Sequence, residues 1–127
     1  MSVIDDFSFP SINRSMFLIN MKKPYVDWAN SLADRSDEEK ERPHTIESLN
    51  QEPTCYLVPE IFDDYDLEAY IDHAWIMLFE LQLSGWTTDD ELWPKKRTMK
   101  MFNDWFEIKC GSLVIDLWGK EPLDYNE

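Results

Sequence analysis

The sequence predicts a two-layer α+β sandwich in which a small sheet of about three strands is covered on one face by helices. Three observations carry this expectation. Apolar runs too short for independent helices fall at 16–19, 54–58 and 106–117. Segments of helical periodicity lie between them, the longest opening at the aspartates of 63–66 and ending near 84–85. Strands and helices also follow one another in the order strand, helix, short helix, strand, long helix, helix, strand, which suits two packed layers.

Taken from the start, residues 1–13 lack sustained periodicity and contain Pro10, so they read as an extended N-terminal arm packing through Phe7 and Phe9. Met16, Phe17, Leu18 and Ile19 form a buried strand that Lys22, Lys23 and Pro24 end. Pro24 suits the first turn of a helix, and Tyr25, Trp28, Ala29 and Leu32 follow on one stripe, with Trp28 placed against the sheet. The wholly polar stretch 34–43 reads as a solvated loop. Thr45 caps a short helical turn running to Asn50, and the β-branched and aromatic residues of 54–58 make a second strand closed by Pro59.

Asp63, Asp64 and Asp66 stand where carboxylates complement the positive end of a helix dipole. The helix they open carries Leu67, Ile71, Ala74, Trp75, Leu78 and Leu81 on one face and ends at Gly85, expected in the left-handed conformation. After a loop at 86–94, Thr98 caps a third helix bearing Met101, Phe102, Trp105 and Phe106. Phe106, Ile108 and Cys110 then alternate as a strand. Leu113, Ile115 and Leu117 continue on the opposite parity, which calls for a bulge near Gly111 and Ser112. The domain thus spans 14–118, and 119–127 is a loose tail.

With 127 residues, 43% hydrophobic and 14% aromatic, the chain can bury a core of its own. Its net charge of −14 repels phosphate backbones and anionic headgroups, so neither direct nucleic-acid binding nor membrane binding is expected. No apolar run approaches the roughly 20 residues that span a bilayer, and Asp5 and Asp6 stand where a secretory leader carries cations, which implies a cytoplasmic protein. Cys55 and Cys110, both in strand-like segments, are expected as buried reduced thiols.

The sequence carries no recognisable catalytic constellation. The glycines are Gly85, Gly111 and Gly119, too few and too scattered for a phosphate-cradling loop. Gly111-Ser112 lacks the second glycine of a nucleophile elbow. His44 and His73 are the only histidines, so a histidine-rich metal site cannot form, and His73 reads as a hydrogen-bonded residue at the margin of an apolar face. The aspartates at 63, 64 and 66 lack the glycine and downstream glutamate of a calcium loop. No catalytic residue, metal or cofactor is assigned.

Two charge features carry functional interest. No Lys or Arg occurs between Arg42 and Lys95, which makes the long helix and its flanks an acidic block able to attract a basic partner. Lys95, Lys96, Arg97 and Lys100 then concentrate positive charge beside Trp93 and Trp105. Trp93, Lys96, Arg97 and Trp105 are therefore the candidate binding residues, with Arg97 able to hold a carboxylate or phosphate while a ring stacks on the rest of the ligand.

The sequences Pro24-Tyr25-Val26-Asp27-Trp28 with Leu32, Tyr56-Leu57-Val58-Pro59-Glu60, Gly85-Trp86, and Leu92-Trp93-Pro94 through Arg97-Thr98 to Trp105-Phe106 together resemble a family of small acidic bacterial proteins of unknown function. The likeness covers about 13–117, with Gly111 a departure from the larger residue expected there. It implies a bacterial cytosolic protein and transfers no activity. The residues themselves point to a non-enzymatic interaction domain that forms a homodimer or binds a basic protein. The alternative is a binding protein for a small anionic ligand, or an enzyme, with its site near Arg97, Trp93 and Trp105.

Overall fold

A computed structural model describes residues 9–32 and 36–126. It has the α+β architecture expected. Three antiparallel strands, β1 (Ser15–Met21), β2 (Cys55–Val58) and β3 (Phe106–Gly111), form a sheet in the order β2-β1-β3. Helices α1 (Lys23–Ser31), α2 (Asp37–Glu41), α3 (Ile46–Leu49), α4 (Asp64–Ser84) and α5 (Met99–Trp105) complete the chain order. Among the described residues no helix is long and apolar enough to cross a membrane.

The period-2 alternation of β1 decides which face is inner. Ser15, Phe17 and Ile19 are buried, whereas Met16, Leu18 and Asn20 point to the other face and stay partly open. Register carries the same division outward: Phe17 lies opposite Tyr56 and Cys110, and Leu18 opposite Cys55 and Lys109. On the inner face Phe17, Phe79, Phe102 and Phe106 belong to one aromatic and aliphatic core, completed by Leu78 and Leu83. Phe79 and Phe106 meet edge to face at 5.2 Å, the arrangement the ring quadrupoles favour. Each such ring contributes about 1.5–3 kcal/mol by leaving water.

Polar groups taken into this interior are matched. Ser15 is fully buried, and its Oγ donates to Ser112 O at 2.9 Å while accepting Ile61 N–H at 2.8 Å, tying the ends of β2 and β3 to β1. The Asn50 amide pairs with both backbone groups of Met21, at 2.8 and 3.0 Å, and so imitates a further strand at the end of β1. Asn30 clamps the backbone of His44 in the same way.

Local capping signals hold. The Thr45 side chain accepts from Ser48 N–H, Asp63 from Asp66 N–H and Thr98 from Met101 N–H, each opening its helix. Pro24 falls in the first turn of α1. Several expectations are corrected. The stretch expected to be only a loop contains α2, whose residues are good helix formers without an apolar stripe and whose Lys40 sits at the negative helix end. A 3-10 turn at Asp90–Leu92 likewise interrupts the loop before α5.

Trp28 packs on Tyr25 and Trp105 and donates to Leu92 O at 3.0 Å, so α1 leans on α5 and the preceding loop through it. Gly85 is right-handed, with φ −65° and ψ −21°. A left-handed cap would serve the orphan carbonyls of α4, but Tyr25 OH already donates to Gln82 O at 2.6 Å, while Trp86 N–H and Thr87 N–H turn to Leu83 O. Cys55 is exposed, because its partner in register is the outward Leu18, whereas Cys110 faces inward opposite Phe17. Both thiols are free, and their opposite faces keep them apart.

The parity change after β3 also resolves differently. The strand ends at Gly111, and pairing resumes as a bridge between Ser11 and Ile115. From Met16 to Ser11 the chain takes one more step than from Gly111 to Ile115, so the extra residue belongs to the segment preceding β1. Leu113, Ile115 and Leu117 consequently stay exposed. The expected arm is paired here from Pro10 to Ile12, while Phe7 lies outside the described residues.

Candidate functional site

The outward side of α4 presents an unusual surface for a helix with a buried stripe. Core contact takes Ala74, Leu78, Phe79, Gln82 and Leu83. The run 74–79 is apolar without interruption, and 3.6 residues per turn cannot bring all of it to one face. Ile76 and Met77 therefore remain 52% exposed each, and Leu81, expected in the core, is 45% exposed. One and two turns back along the same side lie His73 and Ala69, both exposed.

At its N-terminal end this strip opens into a cleft of about 420 Å³ between α4 and the segment after β2, walled by Ile61, Phe62, Ala69, Tyr70 and His73. Glu60 and Asp66 stand on its rim. Asp66 is held there because its carboxylate accepts Phe62 N–H at 3.1 Å while its own N–H caps onto Asp63 at 2.9 Å. Along the border toward α5, Glu68 and Asp72 face Met99 and Asn103 across a second cleft of about 240 Å³. Among the described residues none of Glu60, Asp64, Asp66, Glu68 and Asp72 has a cationic partner; Glu80 is the carboxylate of α4 that does.

That partner is Arg97. Its Nη2 meets Glu80 Oε1 at 2.9 Å, its Nη1 donates to Pro94 O at 2.8 Å, and its guanidinium lies 5.8 Å from the Trp93 ring centroid. Trp93 is itself anchored by its indole N–H on Thr87 O. Trp93 and Arg97 are thus brought together beside α4, with the guanidinium committed to groups of this chain. Trp105 makes its ring contacts with Tyr25, Trp28, Phe79 and Phe106. Lys95 pairs with Glu91 and Lys100 with Asp104, so much of the basic cluster is matched along its own helical turns, while Lys96 is exposed without an ion pair among the described residues. A carboxylate ligand at Arg97 would have to displace Glu80.

The sheet's outer layer has a separate apolar area. Leu57 of β2, Ile12, Ile115, Leu117, Trp118 and Leu123 share a cleft of about 460 Å³. The parity switch after Cys110 was its signal in the sequence.

Elsewhere, the His44 ring lies 4.5 Å from that of Trp86, and its Nε2 is buried without a hydrogen-bond partner. The His73 side chain makes no hydrogen bond among the described residues, contrary to expectation. No group of three or more His, Cys, Asp or Glu side chains there is placed to hold a metal ion.

No family model, curated protein or solved structure matches the chain.

Proposed function

We propose that this chain is a non-enzymatic protein-interaction domain of the bacterial cytoplasm. One observation carries the reading: Ile76, Met77 and Leu81 of α4 remain open after the core is complete. Large apolar residues exposed together are characteristic of surfaces that bind other macromolecules, and Met is suited to them because its unbranched thioether adapts its shape.

The test compares the tagged protein with an Ile76→Ser, Met77→Ser variant in capture from a bacterial lysate. Both positions are half exposed, so circular dichroism and the thermal midpoint should be nearly unchanged. A partner retained by the wild type and lost by the variant is the expected result. Capture that is indifferent to the substitutions would show that α4 is not the interaction surface.

A further inference from the structure

Building on the interaction reading, we infer that the occupant of the α4 surface is a cationic amphipathic helix of a partner protein. Shape and charge lead to this independently. From Ala69 to Leu81 the outward strip runs about 18 Å at the helical rise, a length that matches three to four turns of a partner helix. Apolar side chains three and four residues apart on that helix meet Ile76, Met77 and Leu81, while one larger side chain enters the cleft between Phe62 and Tyr70.

Charge selects among occupants. The strip is bordered by Asp66, Glu68 and Asp72, which have no cationic partner among the described residues, and α4 contains no Lys or Arg. A second copy packing α4 against α4 would set these carboxylates against their own kind, with no cation on either helix to offset the repulsion. An anionic lipid surface or nucleic acid is repelled in the same way. A helix carrying Lys or Arg on both sides of its apolar stripe supplies what is missing: hydrophobic contact along the strip and cations over its borders. The complementary charges set encounter rate and orientation, and the apolar stripe sets residence time.

The test uses a fluorescein-labelled peptide of about 18 residues with Leu at i, i+3, i+4, i+7 and i+11 and Lys on both flanks. Fluorescence anisotropy should report saturable binding to the wild-type protein, weakened several-fold when salt rises from about 0.05 to 0.3 M. The Ile76→Ser, Met77→Ser variant has the same charge, and its affinity should fall about tenfold. Arg97→Gln, which leaves Glu80 without its cation, should tighten binding.

Equal binding of a peptide with the same composition in scrambled order would overturn the inference, because the attraction would then be nonspecific. Undiminished binding to the serine variant would do the same. So would sedimentation of the wild type as a dimer that the serine substitutions dissociate, since the occupant would then be a second copy. Lysate capture that depends on Ile76 and Met77, in a protein that ignores the peptide, would refute the partner's chemistry and leave the interaction reading standing. Loss of both would refute the two together.

Discussion

Removing one oxygen at Tyr25 tests how the two ends of the helical layer are joined. The ring is buried and packs on Trp28, Trp105 and Phe106, contacts that Tyr25→Phe preserves. The hydroxyl donates to Gln82 O at 2.6 Å, and the N–H four residues on, that of Trp86, is directed to Leu83 O instead. The substitution therefore strands a buried carbonyl at the end of α4, at a cost of about 1–3 kcal/mol. For a chain of this size the midpoint of thermal unfolding should fall by roughly 3–5 °C per kcal/mol. Urea unfolding followed by tryptophan fluorescence gives the free energy directly.

The same residue fixes a pH dependence. Burial pushes the Tyr25 hydroxyl well above its ordinary value of 10.0; a hydrogen bond from the Trp86 side chain opposes the shift, and Tyr56 adds to it. The folded state thus holds the proton more tightly than the unfolded state. Its stabilising contribution is complete below the unfolded pKa and is lost as pH rises beyond about 10. Wild type should lose stability steeply between about pH 10 and 12, and Tyr25→Phe should lose less over that interval. A variant as stable as wild type at pH 8 that also follows its alkaline decline would refute the assignment of this hydroxyl as a structural donor.

Other outcomes follow from the packing and backbone. Phe102→Ala opens a void against Phe79 and Phe106 and should cost about 3–5 kcal/mol by urea unfolding. Gly85→Ala should stabilise by about 0.5–1 kcal/mol by the same measurement, because φ is −65° and an added Cβ would meet Gln82 O at an ordinary 3.4 Å. Iodoacetamide at neutral pH should modify Cys55 first, as shown by mass spectrometry of the intact protein. Cys55 is exposed, whereas Cys110 faces the core side and burial raises its pKa, lowering the thiolate fraction that reacts.

Much of the fold could be read from residues a few positions apart. Thr45, Asp63 and Thr98 cap their helices because the donors they satisfy lie three residues downstream, a relation independent of the rest of the chain. The strands at β1 and β2 were legible for a similar reason, as brief apolar runs bounded by prolines. The sequence marks α4 as an acidic face for a basic partner but not its exposed apolar strip, although that signal is present: the apolar run 74–79 is wider than any single face. Trp93 and Arg97 were legible as neighbours, but Glu80 was not, since it approaches Arg97 from another element.

The sequence by itself determined the three strands, the principal helices, their N-caps and the acid-rich character of α4, all of which depend on local geometry and composition. Tertiary structure decided which apolar residues were to be covered. Leu81 and Leu83 are alike in chemistry and two positions apart, yet one is exposed and the other fully buried, because α4 meets the sheet and α5 along one side only. The same holds after β3, where pairing of Ser11 with Ile115 sets the strand phase and leaves Leu113 and Leu117 outside. Hydrophobicity drives a side chain toward any dry surface; the relative placement of distant segments determines which dry surface exists.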